Sequence, residues 1–333
     1  MTLEQLRVFV AVAERQHMTR AARALNLAQS AASAAVAALE ARHGAKLFHR
    51  VGRGIELTEA GRLFLAEAKA VLARAEAAEL ALAELGGLER GTLAVQASQT
   101  IASYWLPRHL VAFRRAHPRI EIRLAVGNTA HVAAAVREGA AELGFVEGEV
   151  DDPALCGAQV ARDRMVLVVG PEHPWVGRDR VGPEDLPSSE WVLREPGSGT
   201  RSAFEAAMEG FGLAPDALSI ALELPSNEAV RAAVEAGLGA TVLSASVAAP
   251  SLEAGLLRRV GPELPDRAFH VLRHRERYRS RAASALLALI EGASPPRSRD
   301  PEQPDQAEAD RAQGQQRADH RRRDAPAGPR DRA

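Results

Sequence analysis

Two short amphipathic helices separated by a tight turn, within residues 17–61, constrain the fold of this chain more than any other feature of its sequence. Thr19 is a suitable N-cap for the first helix, and Asn26 begins the turn that follows it. Gln29 and Ser30 open the second helix, and Gly44 ends it. Apolar residues recur at helical spacing in both helices: Ala21, Ala22, Leu25, Ala32, Val36 and Leu39. The pattern therefore predicts a helix-turn-helix.

A basic, glycine-punctuated loop follows the second helix, at residues 49–54, and predicts a short hairpin. In DNA-binding proteins of this shape the second helix enters the major groove, and such a wing reaches a neighbouring phosphate or the minor groove. Residues 1–58 carry eight basic side chains against four acidic ones, a net charge of +4, whereas the whole chain has a net charge of −1. This imbalance indicates that the N-terminal module alone binds phosphates.

The segment resembles the winged helix-turn-helix of LysR-type transcriptional regulators. The matching residues are Ala21-Ala22, Leu25, Gln29-Ser30, Ser33, Leu39-Glu40, Gly44, Leu47-Phe48, Arg50, Arg53, Leu57-Thr58 and Ala60-Gly61. The resemblance implies an all-α winged helix-turn-helix domain over residues 1–58 that binds double-stranded DNA at an inverted-repeat operator. Its expected DNA contacts are Thr19, Gln29, Ser30, Ser33, Arg50 and Arg53.

A long helix is predicted after Thr58, which is a suitable cap, and runs to about Leu85 before Gly86-Gly87. Its apolar residues alternate in steps of four and three, as in a coiled-coil seam: Phe64, Ala68, Val71, Ala75, Ala78, Leu82 and Leu85. Such a seam pairs either with a second chain or with its own domain. The equivalent helix of LysR-type regulators dimerises, so the resemblance implies a linker over residues 59–88 and a homodimer or homotetramer.

From Gly91 onward strands alternate with helices, which predicts an α/β fold with mostly parallel sheets. The predicted strands are Thr92–Ala97, Ile120–Val126, Leu143–Val146, Met165–Val169, Trp191–Leu193, Ile220–Leu224, Ala240–Leu243 and Phe269–Arg273. The resemblance implies that residues 89–293 form a two-lobed effector domain with a periplasmic-binding-protein-like fold. The expected first lobe comprises about 91–162 and 268–291, the second about 163–267, with crossings near Arg162 and Arg267.

Four loops in this region leave a predicted strand for a predicted helix and carry hydroxyl or amide side chains. Each alone fits simple N-capping, but free N–H groups at helix starts favour anions, and ligands of α/β sheets bind at the carboxyl ends of strands. Together the loops predict one binding cleft. The expected effector-binding residues are Ser98, Gln99, Thr100, Asn128, Glu147, Gly199, Thr200, Arg201 and Asn227.

These loops are similar to those of the LysR branch that controls carbon dioxide fixation, sulfur assimilation and the sulfite response. The resemblance implies a small anionic metabolite as effector, and no cofactor is expected. Two alternatives compete with a regulator: an α/β enzyme that uses the loop Gly197-Ser198-Gly199-Thr200-Arg201 as an oxyanion cradle, and a solute-binding transport protein. No Ser/His/Asp arrangement is legible, and the ten histidines show no metal-ligand spacing, so we expect neither an enzyme nor a metal site.

The sequence has no signal-peptide pattern and no long uninterrupted apolar run, which predicts a cytoplasmic protein without membrane contact and argues against a transport protein. Cys156 is the only cysteine, so no disulfide can form within the chain. Residues 294–333 are rich in Pro, Gln, Arg and Asp without apolar periodicity, and are predicted to be a disordered tail.

Overall fold

A computed structural model describes residues 1–52, 54–85, 91–214 and 217–293. Three expectations fall outside these residues: the contact from Arg53, the break at Gly86-Gly87, and the tail over 294–333. None of the described helices combines the length and the apolar character needed to cross a bilayer.

The N-terminal module consists of three helices and a hairpin. Its elements are α1 (Leu3–Arg15), α2 (Met18–Ala24), α3 (Gln29–His43), β1 (Phe48–Val51) and β2 (Gly54–Leu57). Buried alanines on α2 and α3 leave room for the helices to approach closely. Asn26 adopts a left-handed conformation in the turn, with φ at 56°, and Gly44 does so at the end of α3, with φ at 63°. The predicted helix-turn-helix is confirmed.

The predicted cap of α2 is wrong. The helix begins at Met18, so Thr19 already lies inside its first turn. His17 is the N-cap instead, and its Nδ1 accepts a hydrogen bond from the Arg20 amide at 3.4 Å.

The long helix α4 (Glu59–Leu85) is confirmed, and the Thr58 hydroxyl caps it by accepting from the Gly61 amide at 3.0 Å. The apolar seam, however, serves two purposes. Ala68 is buried and Phe64 packs on Phe9 with ring centroids 4.9 Å apart, so the first part of the seam closes the core of the N-terminal module. Val71 and Leu82 lie farther along and are 41% and 71% exposed, so only this later part is free to meet a partner chain.

The remaining residues form two five-stranded sheets. Their strands are β3 (Gly91–Ser98), β4 (Ile120–Gly127), β5 (Leu143–Glu147), β6 (Leu155–Asp163), β7 (Met165–Val169), β8 (Glu190–Arg194), β9 (Ser219–Leu224), β10 (Ala240–Ser244), β11 (Arg258–Arg259) and β12 (Arg267–His274). The first sheet has the order β4-β3-β5-β12-β6 and the second the order β11-β7-β10-β8-β9.

Helices cover both faces of each sheet, which gives two three-layered lobes. The helices are α5 (Leu106–Ala116), α6 (Thr129–Glu138), α7 (Gly199–Gly210), α8 (Asn227–Glu235), α9 (Ala245–Glu253) and α10 (Arg281–Ala293), with a π-helix at Ile101–Trp105 and a 3-10 helix at Pro183–Ser188. We call the first sheet with α5, α6 and α10 lobe 1, and the second sheet with α7, α8 and α9 lobe 2.

The prediction of mostly parallel sheets is only half right. Each sheet has two parallel and two antiparallel strand pairs among the described residues. The chain leaves lobe 1 through β6 and returns through β12, and these neighbours necessarily run in opposite directions. Neither β6 nor β11 was predicted, because Gly157, Gln159 and Arg162 interrupt the apolar pattern of β6 and β11 has only two residues.

Candidate functional site

The exposed face of α3 carries the side chains expected to read bases. Gln29 and Ser30 are exposed at its first turn, and Gln29 Nε2 donates to the Ser33 hydroxyl at 3.3 Å. The opposite face is buried through Ala32 and Val36. The first turn of α3 therefore presents an amide and two hydroxyls on one surface, and all three groups form hydrogen bonds to base edges in DNA complexes.

Glu40 fixes the entry to the wing. Its carboxylate accepts from the Leu47 amide at 2.8 Å, from the Phe48 amide at 3.3 Å and from Lys46 Nζ at 2.8 Å. Burial alone would raise the pKa of Glu40, but these hydrogen bonds outweigh it and hold the pKa below its usual value. The carboxylate thus anchors the hairpin whose exposed Arg50 is paired in register with Ile55.

The two lobes meet at the buried guanidinium of Arg267, the first residue of β12. Its Nη1 donates to the Thr200 hydroxyl of lobe 2 at 3.1 Å, and its Nη2 donates to the Thr100 hydroxyl of lobe 1 at 3.2 Å. The fully buried Asn227, at the start of α8, donates from Nδ2 to the Thr100 hydroxyl at 2.9 Å. One arginine thus joins hydroxyls that two helix starts supply from opposite sides.

A buried ion pair holds Arg267 in place. Asp163, the last residue of β6, accepts from Arg267 Nε at 2.9 Å and lies 2.8 Å from Nη2. The Ser244 hydroxyl donates to the other Asp163 oxygen at 2.7 Å, and Glu147 Oε1 lies 3.7 Å from Arg267 Nη2. Because the outgoing strand carries Asp163 and the returning strand carries Arg267, this pair fixes the two crossings against each other.

Arg194, at the end of β8, forms a second bridge between the lobes. Its Nη1 donates to Asn227 Oδ1 at 2.7 Å and to Gln99 Oε1 of lobe 1 at 3.0 Å. Its other nitrogens bind the Glu195 carboxylate at 2.7 and 2.9 Å. Burial would raise the pKa of Glu195, but the hydrogen bonds from Arg194 outweigh it and lower that pKa. Asn128 Nδ2 reaches the same carboxylate from lobe 1 at 3.2 Å.

Gly199 lies at a close approach between the two lobes. A Cβ atom added there would lie 2.6 Å from Glu147 Cβ and 2.8 Å from Thr129 Oγ1, both in lobe 1. Since real Cβ atoms do not come this near to other heavy atoms, a side chain at this position would push against Glu147 and Thr129 and oppose the close approach of the lobes.

Ser98 provides a buried hydroxyl at the end of β3. The residue is 2% exposed, and its Oγ has no hydrogen-bond partner among the described residues. An unpaired buried hydroxyl costs about 1–3 kcal/mol, so this oxygen favours a ligand atom at the carboxyl end of the strand.

Arg201 does not reach the cleft, contrary to the sequence-based expectation. Its Nε donates to Glu205 at 2.6 Å and its Nη1 to Glu223 at 3.0 Å, both on lobe 2. Burial would lower the pKa of Arg201, but these two hydrogen bonds outweigh it and raise that pKa. The side chain points away because it pairs with Glu205 one turn along α7 and with Glu223 on the neighbouring strand β9.

Family models match both parts of the chain. The model described as bacterial regulatory helix-turn-helix protein, lysR family, matches residues 3–62, and the LysR substrate binding domain matches residues 86–294. The chain belongs to the LysR family. It is a DNA-binding transcriptional regulator with an effector-binding domain, which confirms the resemblance and excludes the enzyme and transport alternatives.

Relatives of this LysR-type regulator extend over nearly its whole described length. The uncharacterized HTH-type transcriptional regulator YeiE of Escherichia coli strain K12 is 35% identical over 298 residues, which cover 89% of this chain and 99% of YeiE. The HTH-type transcriptional regulator CbbR of Rhodospirillum rubrum is 32% identical over 294 residues, which cover 88% of this chain and 96% of CbbR. Full-length CbnR complexed with its target DNA has the same fold, with a TM-score of 0.64 at 23% identity over 88% of this chain and 100% of CbnR.

The structure brings most of the expected effector residues of this LysR-type regulator to one cleft. Arg267 and Asp163 are the important residues that sequence reasoning missed. The sequence analysis placed Arg267 only at a crossing between the lobes. The opposite charges of Asp163 and Arg267 at the two crossings could have predicted that these side chains form an ion pair. The described residues include no group of three or more His, Cys, Asp or Glu side chains placed to hold a metal ion.

Proposed function

We propose that this regulator binds an inverted-repeat operator as a homodimer or homotetramer. Residues 1–58 would contact DNA, residues 59–88 would join two chains, and residues 89–293 would hold the effector. The exposed Val71 and Leu82 on α4 support pairing of this helix with a second copy, because large apolar side chains in one row favour a helical partner. Two modules related by symmetry would require half-sites about one helical turn, or a multiple of it, apart.

The effector of the proposed regulator is a small anionic metabolite that binds between the lobes. The observation that carries this proposal is the meeting of the Thr100 and Thr200 hydroxyls at the buried Arg267, together with the buried, unpaired Ser98 hydroxyl at the end of β3. Three carboxylates, those of Asp163, Glu147 and Glu195, face the two arginines Arg194 and Arg267 in this cleft, so a small anion would be held by hydroxyl and amide donors rather than by an excess of arginines. The N-terminus of α7 adds a favourable dipole.

An anion in this position would favour the closed arrangement of the lobes to the extent that it binds this arrangement more tightly than the open one. A coupling of about 1–3 kcal/mol would change operator affinity or geometry by about 5–150-fold. The relatives named as regulators of RuBisCO or as CbbR make a sugar phosphate the first candidate, followed by sulfite and sulfate. Because such a regulator acts where its operator is, we propose a cytoplasmic location.

The test is calorimetric titration of the full chain with ribulose bisphosphate, sulfite and sulfate, followed by operator binding with and without the anion. Thr100→Val removes one hydroxyl of the cleft and should weaken anion binding at least tenfold while leaving anion-free operator affinity near the wild-type value. Arg201→Met is the matched control, because its guanidinium lies outside the cleft, and it should keep the wild-type affinity. The proposed site would be refuted if Thr100→Val kept the wild-type anion affinity, or if the wild-type protein bound none of the three anions.

A further inference from the structure

A second cavity lies between the linker helix and lobe 1, at the opposite ends of β3, β5 and β12 from the residues of the inter-lobe cleft. It measures about 240 Å³ and is bounded by α4, by the start of β3, by the segment between α6 and β5, and by the residues after β12. Ala73 and Ala77, one turn apart on α4, form one wall, and Ala94, Ala141 and Leu143 form the wall opposite. The floor of this cavity is therefore apolar.

Arginines form the rim. Arg273, Arg277 and Arg279 line the cavity against two carboxylates, Glu76 and Glu142. Both Glu142 oxygens accept hydrogen bonds from Ser280, from its amide at 2.7 Å and its hydroxyl at 2.9 Å. Arg273 and Arg279 are exposed residues on this rim. The rim thus has positive charge available to a ligand.

Two arginines are held close together at the end of this cavity. Arg277 donates to the Val136 and Arg137 carbonyls at 2.7 and 2.8 Å, and Arg74 Nη1 of α4 donates to the Glu276 carbonyl at 2.9 Å. Burial, and then repulsion from Arg74, lowers the pKa of Arg277. A negative group nearby would relieve that repulsion.

We propose that this cavity binds a small monocarboxylate with one aromatic ring. A cavity of about 150 Å³ lined by aliphatic residues holds benzene, so the larger volume here accommodates a ring together with a carboxylate. The ring would lie on the alanines and Leu143 beside Tyr278, and the carboxylate would meet the guanidinium groups of Arg273 and Arg279.

Occupancy of this site would act on the position of the DNA-binding module. Lys69 of α4 lies 3.3 Å from Glu14 of α1 and 3.6 Å from Glu138 of α6, so the helix that forms the cavity wall contacts both the module and lobe 1. A ligand wedged between α4 and lobe 1 therefore fixes the angle at which the linker helix leaves the effector domain.

The test uses the full chain and benzoate, with benzyl alcohol as the uncharged analogue, in calorimetric titration. We expect benzoate to bind and benzyl alcohol to bind at least tenfold more weakly. Ala77→Leu, which fills the cavity, and Arg279→Gln, which removes an exposed charge, should each weaken benzoate binding about tenfold or more. The matched controls are Ala66→Leu, at an exposed position on the same helix, and Arg275→Gln, at an exposed arginine of the same loop outside the cavity. Both controls should keep the wild-type affinity.

Several results would overturn the proposal. They are absence of benzoate binding, equal affinity in Ala77→Leu and wild type, or loss of binding in Thr100→Val, which would assign benzoate to the inter-lobe cleft. A second copy of the chain could also cover the cavity. In that case hydrogen exchange at Ala73 and Ala77 would slow with increasing protein concentration and would not respond to benzoate.

Discussion

Replacing Arg267 with methionine should strongly destabilise the effector domain, because it breaks a buried ion pair. The side chains of Arg267, Asp163 and Glu147 are 6%, 7% and 3% exposed, so the substitution leaves two buried carboxylates without their cation. Breaking a buried ion pair by removing one partner costs about 3–5 kcal/mol. With a denaturant slope of about 2–3 kcal/mol per molar urea, the unfolding midpoint should fall by about 1–2.5 M.

Tryptophan fluorescence during urea unfolding measures this effect directly, because Trp105, Trp175 and Trp191 all lie in the effector domain. Arg201→Met is the matched control: Glu205 and Glu223 are 45% and 44% exposed, so this loss should cost about 1 kcal/mol or less.

Adding Asp163→Asn to Arg267→Met should recover part of the lost stability, because it removes one of the unpaired charges. The reasoning fails if Arg267→Met costs no more than Arg201→Met, or if the double variant is less stable than Arg267→Met alone.

Four further results are expected. Gly199→Ala should keep anion-free operator binding but lose the response to the anion in operator titrations, because its Cβ would clash with Glu147 and hold the lobes apart; a normal response would show that closure does not need this contact. Glu40→Gln should lower stability by about 1–3 kcal/mol at neutral pH. Since the pKa of Glu40 is lowered on folding, the wild-type advantage should vanish as the pH falls below 4.5 in a denaturation series, and an advantage that persists in acid would contradict this assignment. Arg50→Ala should weaken binding to all DNA sequences and reduce the salt slope by about one unit, so an unchanged slope would remove Arg50 from the phosphate contacts. Gln29→Ala should relax selection at one base pair per half-site in a binding-site selection experiment, and an unchanged consensus would refute its role in base reading.

Most helices and strands could be predicted from the sequence because interactions between residues close together in the chain determine them. The helical spacing of small apolar residues predicts α2 and α3, and Thr58 caps α4 as its sequence context indicates. Eight strands were predicted because each carries a run or an alternation of apolar residues, including the largely exposed edge strands β4 and β9, and hydroxyl-bearing loops follow several of them at the carboxyl ends. The edge strand β6 was not predicted because Gly157, Gln159 and Arg162 interrupt the apolar pattern on which such a prediction depends.

The partners of each side chain were decided only by tertiary structure. Thr100, Thr200, Asn227 and Arg267 are up to 167 positions apart and meet because two crossing strands fold the lobes face to face. Arg201 follows the same loop as Thr200 yet turns to Glu223, since the direction of a side chain depends on the helix that carries it and on the charges packed nearby. The sequence by itself determined which residue types stand at each strand end and helix start, because propensity and capping act within a few residues. Which of them share a site was decided by long-range packing, because contact between distant residues depends on the path of the whole chain.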